Sequence, residues 1–424
     1  MSKIALLIKK NTLSLFILIC FFTLMTQTVF IRGYFDIEIR VIILCLYSLI
    51  IFARVYYYRL LFTFSEIVWS IFTLLAVIGA FLNSKVLPLD IIQPIIWWFV
   101  VIGVVSVVRI ARPNEEFLLK WFFALVIFEL LIGIISIFDF LGLYNLESLL
   151  STDLLNFKIF GDNHNFGCLI GKYALGLEMM IGLIALYGIF AISRMKNKNI
   201  TTYNYLLYLV VLMVFFILLI YSTMRANVLA LMVLYMLGLF FLYKNRSIDF
   251  KLVFYFAVFI ILTLIISHLI GIANPFIKKI LEAGTSNRSI IWKSFIDEQY
   301  NNFNLLSFLF GDGFRYIFEK YSILSSLKLA GFHNFVIDIW ARYGFLNMLL
   351  IAYYIFIGIK KGLNNRFGSL IVPIVIACLV SDLSTGYFIP ATFRLISIIV
   401  VFFIALSVDK SSDIELRNGV NDSN

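Results

Sequence analysis

The sequence predicts an all-α polytopic membrane protein with about twelve transmembrane helices and one large external loop. Hydrophobic residues make up 62% of the chain and charged residues only 14%, whereas soluble domains carry about 25% charged residues. The apolar residues fall in runs of about 20, the length that an α-helix needs to cross a hydrocarbon core. The polar residues fall in short basic connectors and in one long segment, 272–333.

The apolar runs place the spans within a single membrane domain, 1–424. The first run follows Lys9 and Lys10 and is too long for the core of a signal peptide, so we interpret it as a retained helix. The predicted spans are 12–31, 39–58, 66–82, 91–109, 117–139, 166–192, 204–222, 225–243, 251–270, 334–359, 368–386 and 390–407.

Basic connectors follow every second span, which predicts that they and both chain termini are cytoplasmic. The net charge of +10 is therefore explained by orientation in the membrane rather than by nucleic-acid binding. The same parity places Arg225 and the loop 272–333 on the external face. The polar segment 409–424 is expected to be a disordered cytoplasmic tail.

The long loop has helical periodicity, so it is not expected to be a flexible tether. An amphipathic helix is predicted to begin at Thr285 and Ser286, and Gly311-Asp312-Gly313 is predicted to form a tight turn. These helices are expected to lie on the membrane surface. The apolar positions of the first helix are Trp292, Phe295, Ile296, Tyr300 and Phe303, and those of a second piece are Phe314, Ile317, Phe318, Tyr321 and Leu324.

His333, at the end of the loop, is the candidate general base, because imidazole can take a proton from a hydroxyl near neutral pH. The structural alternative is an interfacial histidine that bonds to a backbone carbonyl. His268 is expected to be structural, and His164 fits a polar turn better than a substrate contact.

Two external arginines are candidates for binding phosphate, since guanidinium can bind it through two hydrogen bonds. Arg225 is a lone charge between two apolar spans, and Arg288 begins the loop helix. The alternatives are that Arg225 extends to lipid headgroups and that Arg288 is a solvated charge. Asp338 and Arg342 have the i, i+4 spacing of an ion pair, which we interpret as structural or orienting. No motif indicates a metal or a cofactor.

These residues, in this order, resemble the O-antigen polymerase and O-antigen ligase superfamily. The resemblance covers roughly 150–360, including the Asn-bearing turn 162–165, and its best element is the His333-Asn334 pair. Met224 before Arg225 departs from the pattern of that family, in which many members have serine. The remaining matching positions are Asn287-Arg288, Trp292, Gly311-Asp312-Gly313 and Gly344.

The resemblance implies glycosyl transfer at the periplasmic face of the bacterial inner membrane, without metal or cofactor. An undecaprenyl-pyrophosphate-linked glycan would be the donor and a sugar hydroxyl the acceptor, and a flippase and a chain-length regulator are implied partners. His333 would activate the acceptor hydroxyl, while Arg225 and Arg288 would bind the pyrophosphate. The implied substrate-binding residues are Asn334, Asn287, Arg315, Asn163 and Lys172.

Three functions remain open at this point. The favoured one is a polymerase that joins lipid-linked repeat units into a surface polysaccharide. A ligase that transfers glycan to lipid A core uses the same donor. A polysaccharide or lipid transporter, or a flippase, belongs to another class. It would be expected to have repeat symmetry and charges within the membrane, whereas the candidate polar residues here collect at the external edge.

Overall fold

Every regular element that the structure describes is an α-helix. The structure is a computed structural model. It describes residues 2–26, 36–58, 62–82, 88–140, 172–195, 202–222, 224–245, 288–313, 317–321, 332, 334–385 and 394–421. It also describes five isolated positions, 261, 262, 265, 268 and 269.

The helices follow the predicted apolar runs closely, and the loop contributes three shorter ones. The long helices are α1 (Ser2–Met25), α2 (Asp36–Tyr58), α3 (Phe64–Leu82), α4 (Pro88–Ala111), α5 (Glu115–Phe140), α6 (Lys172–Met195), α7 (Thr202–Tyr221), α8 (Arg225–Lys244), α12 (Phe335–Leu363), α13 (Gly368–Thr385) and α14 (Leu395–Asn421). The loop helices are α9 (Arg288–Asn301), α10 (Leu305–Phe310) and α11 (Ile317–Lys320).

Within the described residues, 7 helices are long and apolar enough to cross a membrane: α2, α3, α4, α5, α6, α8 and α12. Shorter apolar segments lie in α1, α7, α13 and α14. The chain is therefore a helical protein built for a membrane, as predicted. The predicted span 251–270 lies mostly outside the described residues. Helix α14 extends into the polar segment 409–424, as far as Asn421.

The bundle is organised around α6, because 94% of the residues in its most apolar stretch are buried. Helix α6 packs along α5 and α7 and also contacts α8 and α13. Helix α8 packs along α13, and α12 packs against α3, α13 and α14. Large apolar side chains such as Phe81, 70% exposed, and Met236, 72% exposed, point away from the bundle. That outward face suits contact with lipid.

A buried ion pair fixes the start of α3 against α2 and α4. The Arg54 guanidinium binds the Glu66 carboxylate, with Nη2 to Oε2 at 2.7 Å, and Nη1 also donates to Ser106 Oγ at 3.3 Å. The backbone N–H of Thr63 donates to Glu66 Oε2 at 2.8 Å. Buried charges are costly unless they are paired and hydrogen-bonded, and this pair is both.

Helix α12 is 29 residues long and bends at Gly344, whose φ of 87° and ψ of 166° are not helical. Glycine adopts a positive φ without the steric penalty of a side chain. The bend divides α12 into residues 335–343, which adjoin the loop, and residues 345–363, which are long enough to cross the membrane.

The Gly311–Gly313 turn docks into the bend of α12. The backbone N–H of Asp312 donates to the carbonyl of Ala341 at 2.8 Å, and that of Gly313 donates to the carbonyl of Arg342 at 3.0 Å. A Cβ at Gly344 would overlap with the Leu309 carbonyl oxygen. On the other side of α10, a Cβ at Gly79 of α3 would overlap with the carbonyl oxygen of Phe310. Helices α3, α10 and α12 therefore meet backbone to backbone, and we call this contact the glycine junction.

Substitution of Gly344 tests the glycine junction. We expect Gly344→Ala to lower the free energy of unfolding by about 1–3 kcal/mol, because alanine is strained at this φ and its Cβ overlaps with backbone atoms of α10. Denaturant titration of the detergent-solubilised protein measures the change. Gly362→Ala in the same helix is the control, since its Cβ would first meet a side-chain carbon of Ile371 at 3.1 Å. Equal losses in both variants would contradict the proposed strain.

Candidate functional site

Helix α9 of the loop packs on the first turns of α12 through a small apolar cluster of its own. Ile291 and Phe295 are buried there, 2% and 1% exposed. The ring of Phe295 lies 5.2 Å from those of both Phe332 and Trp340, measured between centroids. The other members of the cluster are Trp292, Ile317, Tyr321, Ile337 and Ala341.

The predicted loop helix is present, and other parts of the protein cover only part of its predicted apolar face. Ile296, Tyr300 and Phe303 are 60%, 84% and 60% exposed, so they do not pack against α12. Helical spacing predicts which residues share a face, and it does not predict how much of that face another element covers. The helix begins at Arg288, and the predicted caps Thr285 and Ser286 lie outside the described residues.

Hydrogen bonds fix the chain on both sides of position 333. Trp292 Nε1 donates to the carbonyl of Phe332 at 2.9 Å, and the N–H of Phe332 donates to Asp338 Oδ1 at 3.0 Å. On the other side, Asn334 caps α12, its Oδ1 accepting from Val336 N at 3.0 Å and Ile337 N at 3.3 Å. His333 itself lies outside the described residues, but its two neighbours are held in place by α9 and α12.

The predicted ion pair between Asp338 and Arg342 is present, with Nη2 3.7 Å from Oδ1. Both side chains are only 1% exposed. Because Asp338 also accepts from Phe332, the pair orients the end of the loop relative to α12. The predicted contact between these two side chains is confirmed.

The Gly311–Gly313 turn does more than reverse the chain. Asp312 is buried, and its carboxylate accepts from Lys320 Nζ at 2.9 Å and from the Ser307 hydroxyl. Helix α11 is thereby tied to the glycine junction. Nearby, Gln299 Nε2 donates to the Tyr321 hydroxyl at 2.8 Å. Burial, followed by the Asp312 carboxylate, raises the pKa of Tyr321, so this side chain remains a neutral phenol.

Arg225 is the first residue of α8 and is half-buried. The preceding turn is fixed by a hydrogen bond from Ser222 Oγ to the carbonyl of Leu219 at 2.6 Å. Two residues after Arg225, Asn227 Oδ1 accepts from Ser381 Oγ at 2.6 Å, which joins α8 to α13. Helix α13 also packs against α12, so it connects the Arg225 turn with the helix that Asn334 caps.

The predicted site residues thus fall into four groups. Arg288 and Asn334 belong to the packed α9–α12 unit, and Arg225 lies at the start of α8. Lys172 is the first residue of α6, but its side chain is not described. His333, Asn287, Arg315 and Asn163 lie outside the described residues. Among the described residues, no group of three or more His, Cys, Asp or Glu side chains is arranged to hold a metal ion.

Two acidic residues inside the bundle were missed by the sequence analysis. Glu129 of α5 and Glu178 of α6 are fully buried and interact with each other, and Arg394 contributes an electrostatic interaction with Glu178. Neither carboxyl group hydrogen-bonds to any other residue that the structure describes. The available signal was an acidic residue near the middle of each of two apolar runs, which by default indicates a functional site in a membrane.

Loss of the Trp292 hydrogen bond should loosen the chain around position 333. We expect Trp292→Phe to keep the ring packing and to destabilise docking of α9 by about 1 kcal/mol. Amide hydrogen exchange of residues 288–301 and 332–338 would then become about fivefold faster. Tyr300→Phe, at a ring that is 84% exposed, is the matched control. Unchanged exchange in Trp292→Phe would contradict the anchoring role of this bond.

Comparisons of this chain with protein-family models, with curated proteins and with solved structures found no match. The features that bear on function are a loop helix packed on α12, a fixed chain on both sides of position 333, and arginines at the starts of α8 and α9.

Proposed function

We propose that this protein is a membrane-embedded polymerase of lipid-linked oligosaccharide repeat units in O-antigen or another surface polysaccharide. The observation that carries the proposal is the fixed geometry on both sides of position 333, where Phe332 is bonded to Trp292 and Asp338 and Asn334 caps α12. A general base must be held within hydrogen-bond reach of the proton that it takes. The hydrogen bonds of Phe332 and Asn334 support this role for His333, because they fix the chain on both sides of it.

In the proposed reaction, an acceptor sugar hydroxyl attacks the anomeric carbon of the donor glycan. The bond from that carbon to the pyrophosphate oxygen breaks as the new glycosidic bond forms, and the hydroxyl proton passes to the His333 imidazole. Undecaprenyl pyrophosphate leaves with the electron pair of the broken bond. Arg225 and Arg288 bind the pyrophosphate and stabilise its developing charge.

The remaining residues hold the substrates. Asn334 engages its Oδ1 in capping α12, so its Nδ2 is the atom assigned to a sugar or phosphate oxygen. Asn287, Arg315, Asn163 and Lys172 are assigned to substrate binding by their place in the sequence. Undecaprenyl-linked donor and acceptor, a flippase and a chain-length regulator are the proposed partners, and no metal or cofactor is assigned.

The proposed topology has twelve spans in the bacterial inner membrane, with both termini cytoplasmic and the loop 272–333 periplasmic. Helix α12 supports this placement. At 1.5 Å per residue, the 19 residues after its bend, 345–363, extend about 28 Å, which matches a hydrocarbon core about 30 Å thick. If residues 345–363 cross the membrane, residues 335–343 rise above it and carry position 333 into the water, where an acceptor sugar lies.

A ligase that transfers glycan to lipid A core remains the closest alternative, since it uses the same donor and the same chemistry. The two enzymes differ in the acceptor and therefore in the product. A polymerase mutant leaves lipid A with at most one repeat unit, whereas a ligase mutant leaves no attached glycan.

Transport or flipping of a polysaccharide or lipid is a second candidate function, which the Glu129–Glu178 pair favours. These carboxyl groups lie inside the helical bundle, where charged residues commonly mark ion and proton pathways. Because this pair lies inside the bundle, the polar residues do not all collect at the external edge, which was the reason for disfavouring a transporter.

Removal of the proposed general base tests the main proposal. We expect His333→Ala to lower polymerisation by a factor of about 10²–10⁴, which collapses the ladder of long glycan chains on a gel to a single repeat unit. His268→Ala, at an exposed histidine outside the site, is the matched control and should keep the ladder. A normal ladder in His333→Ala, with the protein present at the wild-type level, would exclude a catalytic His333. A complete loss of attached glycan would favour the ligase.

The carboxyl pair provides the test of the transport alternative. If the protein is a polymerase whose chemistry lies at α9–α12, we expect Glu178→Gln to leave the glycan ladder unchanged, because glutamine keeps the side-chain volume. Delivery of lipid-linked repeat units to the periplasmic face is measured in the same cells by labelling with a membrane-impermeant lectin. If Glu178→Gln abolishes delivery of the lipid-linked repeat units to the periplasmic face, the chain is assigned to transport.

A further inference from the structure

A pocket lies at the end of the bundle that is opposite the α9–α12 unit. It has a volume of about 320 Å³ and is built where the last turns of α12 meet the start of α3 and the end of the apolar part of α14. The pocket adjoins the C-terminal turns of α12, whereas Asn334 caps the N-terminus of the same helix. The pocket is therefore separate from the proposed catalytic site. The lining residues are Phe62, Thr63, Phe64, Tyr353, Ile357, Lys361, Val408 and Asp409.

Two opposite charges face this pocket. Asp409 is 2% exposed, and its carboxylate accepts from the backbone N–H of Ser65 at 3.4 Å. Lys361 is exposed at the rim, one helical turn beyond Ile357 on the same face of α12. A ligand that fills the pocket therefore meets a carboxylate in the wall and an ammonium group at the mouth.

The other walls are aromatic and aliphatic and continue into the lipid-facing surface. Phe62 and Tyr353 are 61% and 53% exposed. Phe64 packs edge-on against Tyr353, with ring centroids 6.1 Å apart. The pocket lies at the ends of helices that can cross a membrane, at the level where headgroups meet acyl chains. An apolar molecule with a small charged head fits this position.

The pocket is also preformed. Tyr354 donates to Ser65 Oγ at 3.2 Å, and the Thr63 N–H is held by Glu66, which is itself paired with Arg54. The backbone around Thr63 and Phe64 is thus fixed before any ligand arrives. Preorganisation lowers the entropic cost of binding.

We infer that this pocket binds the headgroup of a phospholipid that carries a primary ammonium, namely phosphatidylethanolamine. The lipid phosphate would pair with the Lys361 ammonium, the lipid ammonium would donate hydrogen bonds to the Asp409 carboxylate, and the acyl chains would lie along Phe62 and Tyr353. An ammonium has three N–H donors, whereas the trimethylated head of phosphatidylcholine has none. An anionic lipid without an amine would bring its phosphate towards the Asp409 carboxylate and supply no ammonium to offset the repulsion between the two.

The test compares lipids on the wild-type protein by native mass spectrometry after detergent purification. We expect phosphatidylethanolamine to bind about tenfold more tightly than phosphatidylcholine, because only the former donates charged hydrogen bonds to Asp409. It should also bind more tightly than phosphatidylglycerol. Equal binding of all three lipids, or preference for phosphatidylglycerol, would overturn the inference.

Variants locate the binding at this pocket. Lys361→Gln should weaken phosphatidylethanolamine binding about tenfold, whereas Lys360→Gln, the exposed neighbour that does not line the pocket, should leave it unchanged. Asp409→Asn should abolish the preference for phosphatidylethanolamine over phosphatidylcholine. Since Asp409 also holds Ser65, Lys361→Gln decides the outcome if Asp409→Asn fails to fold. An equal loss in Lys360→Gln and Lys361→Gln would show general attraction to surface charge and would contradict the assigned site.

Discussion

The arrangement of the loop depends on two backbone hydrogen bonds across the glycine junction. The bend at Gly344 interrupts α12, and the carbonyls of Ala341 and Arg342 accept N–H groups from Asp312 and Gly313. Buried backbone groups must be paired, so the bend and the turn satisfy each other. Helix α10 then lies against α3, Asp312 fixes Lys320 of α11, and α9 packs on the part of α12 before the bend.

Some buried ionisable groups form ion pairs that hold helices or the loop together, and others do not. Arg54 and Glu66 join α2 to α3 at one end of the bundle, and Asp338 and Arg342 orient the end of the loop at the other. In each case a carboxylate also accepts a backbone N–H, which offsets part of the cost of burial. The Glu129–Glu178 pair lacks such backbone bonds in the described residues, which is why it is a candidate for function rather than for architecture.

The long helices could be predicted from the sequence because crossing a membrane requires an uninterrupted apolar run, and such runs are local. The Asp338–Arg342 pair was equally predictable, since i, i+4 spacing places two side chains together within one helix. The glycine junction was not, because Gly311, Gly313 and Gly344 meet through tertiary contacts. Glu129 and Glu178 were missed for the same reason, as their pairing requires α5 and α6 to pack. The exposed side of α9 could not be derived from periodicity alone.

The glycine junction also constrains the order in which the protein assembles. It joins α3 to α10 and α12, which come much later in the chain. Contacts between such distant segments are slow to form, because their loop-closure entropy must be overcome first. Helix α12 must already be made, with its bend formed, before the Gly311–Gly313 turn has a partner. A nascent chain that ended before Gly344 would therefore lack the bend that receives the Gly311–Gly313 turn, and it could not form the glycine junction.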